Sequence, residues 1–181
     1  MKKNLYVVDT NVPIVANRAT DKGKKDGGAL LSDIPMSCIS GCVDIIDKVT
    51  RERLLVIDES GEIFDEYKKR LSFTGQPGVG DKFLKWVHDH QWSLPKKQRV
   101  RITKIRESYA EFPEHTGLED FDLSDRKFVA VANAHSEKPV IVQASDSKWY
   151  GWKNALAECG IEVEFVCTEY IKRKFNEKMV K

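Results

Sequence analysis

Four acidic side chains in this sequence stand where they could share an ion: Asp9, Glu66, Asp125 and Asp146. Asp9 closes the apolar run Leu5-Tyr6-Val7-Val8 in the string V-V-D-T-N-V, and Asp146 follows Pro139-Val140-Ile141-Val142 in A-S-D-S-K-W. Each run is short and apolar, the pattern of a strand buried on both faces. In open α/β sheets, ligands bind in the crevice beyond the carboxyl ends of the strands. Carboxylates aimed at one crevice suit a hard divalent cation such as Mg²⁺ or Mn²⁺.

The elements that must position these acids alternate along the chain. Residues 11–17 follow the first strand as a short helix, with Pro13 tolerated in its first turn. Ile39, Val43, Ile46 and Val49 recur at helical spacing, and Leu54 to Ile57 reads as a second buried strand. Ser60 is placed to cap a helix carrying Ile63, Phe64, Tyr67 and Leu71. Gly75 to Gly80 breaks the chain before a helix with Phe83, Leu84, Trp86 and Val87. Val100, Ile102 and Ile105 suggest a short extended piece. Helices are expected over 124–134, over 149–159 with Gly160 as its stop, and over 168–175; a last strand is expected over 163–166. Thr20 to Gly28 is polar and Gly-rich and reads as a loop. This alternation implies a single α/β domain with a Rossmann-like parallel sheet flanked by helices on both faces.

On that frame Glu66 lies in the helix after the second strand, in F-D-E-Y, and Asp125 opens the helix of D-R-K-F-V-A-V-A. Asp125 also gains there from the helix dipole. These strings resemble the PIN-domain family of metal-dependent nucleases, over nearly the whole chain. The resemblance implies that Asp9 is a metal ligand and Asn11 the residue that orients it. It implies that Glu66, Asp125 and Asp146 complete the catalytic and metal-binding set. The chain departs from the family by having Ala144-Ser145 before Asp146, and Lys148 where many relatives carry another Asp. The resemblance implies one or two Mg²⁺ or Mn²⁺ ions, an RNA substrate and, by likeness to small bacterial toxins, an antitoxin or other regulatory protein partner.

Such a cluster has the chemistry for phosphodiester hydrolysis. Clustered carboxylates repel unless a cation neutralises them. The cation makes hydroxide available near neutral pH, so no protein nucleophile is required. No G-x-S-x-G elbow or Walker A string is present.

Blander roles stand beside these. Asp9 would cap the helix at Asn11, and Asp146 would be a turn aspartate. Asp65 or Glu62 would replace Glu66, and Asp122 is the rival of Asp125. His88-Asp89-His90 sits on a helix, where adjacent side chains diverge, so a solvated surface is expected. His115 and His135 show no partner pattern. Trp149 and Trp152 are expected to pack as core or rim.

The chain has 181 residues, 41% hydrophobic and 32% charged, with a formal net charge of +2. That balance alone does not mark a nucleic-acid binder. The charge is concentrated, however. Lys96, Lys97, Arg99, Arg101, Lys104 and Arg106 fall in one acid-free segment. They are expected to contact phosphates, with Lys22, Lys24 and Lys25 extending the surface. The alternative is a solvated edge, or pairing with the acidic stretch Glu111, Glu114, Glu119, Asp120 and Asp122. No apolar stretch approaches the ~20 residues needed to span a bilayer. The start runs directly into the first strand, and Cys38, Cys42, Cys159 and Cys167 read as small core residues. A cytoplasmic protein is therefore expected. Two other classes remain open. A catalytically inactive PIN-like module would bind nucleic acid or protein. A haloacid-dehalogenase-like phosphatase also places an Asp after its first strand, but needs a second acid where Asn11 stands.

Overall fold

The apolar runs form short parallel strands at the centre of a mixed α/β structure. The structure is a computed structural model and describes residues 4–20 and 33–180. The Gly-rich segment and Lys22, Lys24 and Lys25 lie outside the described residues, apart from Thr20. Strand β1 (Tyr6–Val8) pairs in parallel with β6 (Val140–Gln143), with Val7 opposite Ile141. Strand β6 pairs in parallel with β7 (Val163–Phe165). On the other side of β1 a parallel bridge joins Tyr6 to Leu55. It is made by Tyr6 N–H to Leu54 O, 3.0 Å, and Val56 N–H to Tyr6 O, 2.8 Å. That segment runs into β2 (Ile57–Asp58), which pairs in parallel with β3 (Arg99–Val100). Across the bridge, the strand order is β3-β2-β1-β6-β7. Every residue of β1 and β6 is buried, which is why neither alternates apolar and polar residues.

Seven α-helices surround the strands among the described residues. They are α1 (Asn11–Ala16), α2 (Met36–Arg51), α3 (Glu62–Arg70), α4 (Val79–His90), α5 (Arg126–Ala134), α6 (Lys148–Glu158) and α7 (Thr168–Met179). Helix α1 packs on α2 and α4. A side chain at Gly80 would collide with the Pro13 carbonyl, so α4 approaches α1 at a glycine. Helix α5 packs on β1, β6 and α3.

Several local expectations are corrected. The second strand is shorter than the buried run 54–57, because only Ile57 and Asp58 form a continuous ladder with β3. Helix α3 is capped by Asp58, not Ser60. Both Asp58 oxygens are used: Oδ2 accepts from Ser60 Oγ–H and Glu62 N–H, each at 2.8 Å, and Oδ1 from Ile63 N–H at 2.9 Å. The last helix continues past Phe175 to Met179. The basic segment is not a single extended piece. Strand β4 (Lys104–Ile105) turns back antiparallel onto β5 (Ser108–Tyr109), with Arg106 in left-handed backbone at φ 55°. Cys38 is not a solitary core cysteine: a disulfide joins it to Cys167, Cα to Cα 5.1 Å, tying the starts of α2 and α7. Cys42 remains a buried thiol, pushed up to about 12 by burial. No helix among the described residues is long and apolar enough to cross a membrane.

Asp58 is the anchor for α3 and so for Glu66. Asp58→Ala would orphan two helix N–H groups and should cost about 2 kcal/mol. Urea unfolding should show a lower midpoint at unchanged slope; a variant as stable as the wild type would remove Asp58 from this role.

Candidate active site

The reversal of strand order at β1 places Asp9 and Asp146 beyond the carboxyl ends of two adjacent strands. Asp9 is 1% exposed. Its own N–H donates to Val142 O at 3.0 Å, which pins it to β6. Asn11 supports the carboxylate through its backbone N–H, 2.8 Å from Oδ1. This is the capping contact: the Asp9 carboxylate accepts from the first N–H of α1. Burial pushes the Asp9 carboxyl up to about 8, helped by the charge of Asp125 and opposed by the Asn11 hydrogen bonds, with Asp146 raising it further. Behind it the buried Tyr67 hydroxyl donates to Val8 O at 2.5 Å. The Tyr67 hydroxyl is held well above its ordinary value by burial and then by the Asp9 charge.

Asp125 ends a short 3-10 turn over Leu123–Asp125 and stands at the N-cap of α5. Its Oδ2 accepts from the indole N–H of Trp149 at 3.0 Å. Trp149 is fully buried, so this bond fixes Asp125 from within the core. Burial pushes Asp125 up to about 6 against the Trp149 bond. The charges of Asp122 and Asp146 add to the rise, and Lys127 opposes it. Asp146 sits three residues past β6, and its Oδ1 accepts from Lys148 N–H at 2.9 Å, a turn that orients it as well.

The structure therefore brings Asp9, Asp125 and Asp146 into one electrostatic neighbourhood. Glu66 enters it differently. Its Oε2 lies 3.2 Å from Lys127 Nζ, a lysine side chain only 9% exposed. Lys127 also donates to Ser124 O, beside Asp125. The rivals of Glu66 are engaged elsewhere. Asp65 pairs with Lys68 at the surface, and Glu62 accepts from the Tyr109 hydroxyl at 2.9 Å. Asp122 accepts from Ser124 N–H and Oγ–H and from Lys148 Nζ at 3.3 Å. Burial acts to raise its carboxyl, and these bonds outweigh it and hold it low. No group of three or more His, Cys, Asp or Glu side chains among the described residues is gathered as a ready-made metal cage.

Sequence reasoning missed Lys127 and Trp149 as site residues. Position within D-R-K-F gave no sign that the lysine turns inward, and Trp149 read only as packing. His88 and His90 diverge as expected: His88 Nδ1 meets Asp89, and His90 Nδ1 meets Trp86 O. His115, for which no partner was foreseen, meets Glu158 at 2.8 Å.

The basic segment flanks this site. Lys104 lies 3.4 Å from Glu62, one helical turn before Glu66, and Lys97 lies 4.0 Å from Glu137. Lys96, Arg101 and Arg106 are exposed, and Arg99 is half-buried, its Nε without a hydrogen-bond partner among the described residues. Arg126, next to Asp125, latches the β4–β5 hairpin by donating to Ser108 Oγ at 3.1 Å. Comparison with protein-family models, with curated proteins and with solved structures finds no match to this chain.

The raised carboxyls give a pH signature. The folded chain holds protons on Asp9 and Asp125 more tightly than the unfolded chain does. Their contribution to stability is full below the unfolded value, about pH 4, and is lost as pH rises through about 6 and about 8. In chelator-treated protein, Asp9→Asn should match the wild type near pH 4. By about pH 9 it should melt higher, by at least 2–4 °C, roughly 1 kcal/mol. A wild type that stays the more stable of the two at high pH would show that Asp9 is not under this electrostatic load.

Proposed function

We propose that this protein is a divalent-cation-dependent endonuclease of PIN type that hydrolyses phosphodiester bonds in single-stranded RNA. The observation that carries this is the placement of the acids: Asp9 is buried at the end of β1, Asp146 follows the adjacent parallel strand β6, and Asp125, at the N-cap of α5, accepts from Trp149, three residues beyond Asp146. Burial is the main cause of the raised Asp9 and Asp125 carboxyls and the neighbouring acids add to it; a positive charge among these groups would offset both effects. The donor set is all oxygen, which suits Mg²⁺ or Mn²⁺ rather than a softer metal. In the strand order β3-β2-β1-β6-β7 the acids stand at the reversal, where open parallel sheets bind their ligands.

Asp9, Asp125 and Asp146 would hold the ion. When bound, such an ion activates water near neutral pH and offsets charge on the phosphate under attack. Asn11 keeps Asp9 oriented, Trp149 keeps Asp125 oriented, and the Lys148 N–H does the same for Asp146. Lys127 and Lys148 add positive charge beside the acids. The exposed cations of residues 96–106 would track the phosphates of the strand on either side of the cleaved bond. Because Lys104 reaches Glu62 and the hairpin is latched by Arg126, that track leads to the carboxylates.

Two measurements test this proposal. With Mg²⁺ or Mn²⁺, the wild type should cleave a mixed-sequence single-stranded RNA and leave a small phosphate monoester intact. Asp9→Asn should abolish cleavage, and cleavage at the wild-type rate would end the proposal. Separately, Lys96→Gln with Arg101→Gln should weaken RNA binding and flatten its log–log salt dependence by ~0.7 per lost contact. The rate at saturating RNA should hold, and an unchanged salt slope would return this segment to a solvated surface.

A further inference from the structure

We propose that the cleft beside Arg126 is a nucleobase site, which takes one unpaired guanine of the RNA strand next to the bond to be cut. The inference rests on the nuclease proposal above and deepens it by naming a sequence preference.

The cleft has a volume of about 840 Å³, within the range of small-molecule sites. It is walled by the β4–β5 hairpin, by the acidic stretch that follows and by Arg126. Arg126 is the residue after Asp125, so the cleft opens one residue from the carboxylates. Its guanidinium is fixed from several sides. It donates to Ser108 Oγ at 3.1 Å, to Glu119 O at 2.9 Å and to Phe121 O at 3.3 Å, and lies 4.6 Å from the centre of the Phe112 ring. Phe112 is half-buried and also lines the cleft. Guanidinium planes and aromatic rings are the surfaces on which unpaired RNA bases stack. Holding both in advance lowers the cost of ordering them on binding. Ile105, another wall residue, is 54% exposed between two exposed cations, Lys104 and Arg106. An apolar contact flanked by cations suits a base whose neighbouring phosphates the cations hold.

The acids of the cleft decide which base. Glu114 and Glu119 line it and are exposed. Among the described residues no hydrogen bond or ion pair engages either carboxylate, since Arg126 takes only the Glu119 backbone carbonyl. A carboxylate that met phosphate would weaken the binding of a polyanion. One that meets a base can only accept hydrogen bonds. Guanine presents two adjacent donors, N1–H and the N2 amino group, which a carboxylate takes as a pair. Adenine and cytosine present one amino group beside a ring nitrogen that is itself an acceptor. Uracil presents one N–H between two carbonyl oxygens, which a carboxylate repels. The guanine carbonyl then needs a donor, and Ser108 supplies one: its Oγ accepts from Arg126, so its own hydrogen remains to be donated.

The test reads binding without metal, apart from cleavage. Chelator-treated protein is titrated at low salt into fluorescent oligouridylate, and into the same strand with one central guanosine or one central inosine. The wild type should bind the guanosine strand at least about fivefold tighter than oligouridylate, the low end for a paired contact to a base. Inosine, which lacks the N2 amino group, should fall between them. Glu114→Gln with Glu119→Gln, both at exposed positions, should bring the guanosine and uridine strands within about twofold of each other. The same variant should bind oligouridylate more tightly, because two charges that repel phosphate are gone. Acids that are merely solvated would strengthen binding of both strands equally and leave their ratio unchanged, which would overturn the inference. A wild type that binds the guanosine and uridine strands equally, or binds neither, would also overturn it and leave the cleft a protein-docking or solvated face. The nuclease proposal is judged separately, by the loss of cleavage in Asp9→Asn. Cleavage that depends on Asp9 without a base preference would remove this inference alone.

Discussion

Taking a carboxylate out of water costs several kcal/mol unless a partner compensates it. Asp9 is almost wholly buried, and its neighbours Asp125 and Asp146 are acids. Much of the surrounding structure can be understood as a response to that cost. The Asn11 backbone N–H donates to Asp9, Trp149 donates to Asp125 from the core, and the turn after Asp146 folds back on its carboxylate. Two lysines neutralise two further acids at the margin. What is left is an arrangement tolerable to the folded chain but not relaxed, a condition that accumulates at functional sites rather than in ordinary cores.

The scaffold can bear this load because its centre is rigid. Strands β1 and β6 are buried along their whole length and held in register by a parallel ladder that extends to Asp9 itself through Val142 O. Helix α5 carries Asp125 and Lys127 and packs on both strands and on α3, so a shift of any one element would be felt by all the acids. Helix α3 in turn starts where Asp58 ends β2 and caps its first turn. Asp9, Asp125 and Asp146 are therefore placed at or just beyond the ends of regular elements, and Glu66 within α3. Binding and catalytic groups need this kind of support if their geometry is to hold to a fraction of an ångström.

The basic segment meets the carboxylates through specific contacts rather than by general attraction. Its hairpin joins Glu62 through Lys104 and Tyr109, and Arg126 ties the hairpin to the residue after Asp125. Among the described residues no ion pair joins it to the acidic stretch after residue 110. Glu111 caps the Thr103 backbone instead, and the ion pairs seen in the basic segment go to Glu62 and Glu137. A cationic approach leading to an anionic centre is coherent for a polyanionic substrate that is bound by its phosphates and cut where a metal ion offsets the charge.

The sequence by itself determined the elements and the ends at which the acids stand. Short apolar runs bounded by polar residues read as buried strands, and the spacing in α2 and α4 reads as helices with one buried side. That is why Asp9, Asp125 and Asp146 were legible: each follows or opens an element whose identity is local. The hairpin at 104–109 was not legible, because its turn uses a left-handed Arg106 in place of the glycine or asparagine that would announce it. Nor was the Asp58 cap, since Ser60 offers the same chemistry two residues later and only geometry chooses between them. The lysine that turns inward to Glu66, the indole that holds Asp125, and the joining of Cys38 to Cys167 across 129 residues belong to tertiary structure alone. A side chain's periodicity tells which way it faces on its own element. What it meets there depends on how the elements pack, and for charges held out of water that meeting sets the chemistry.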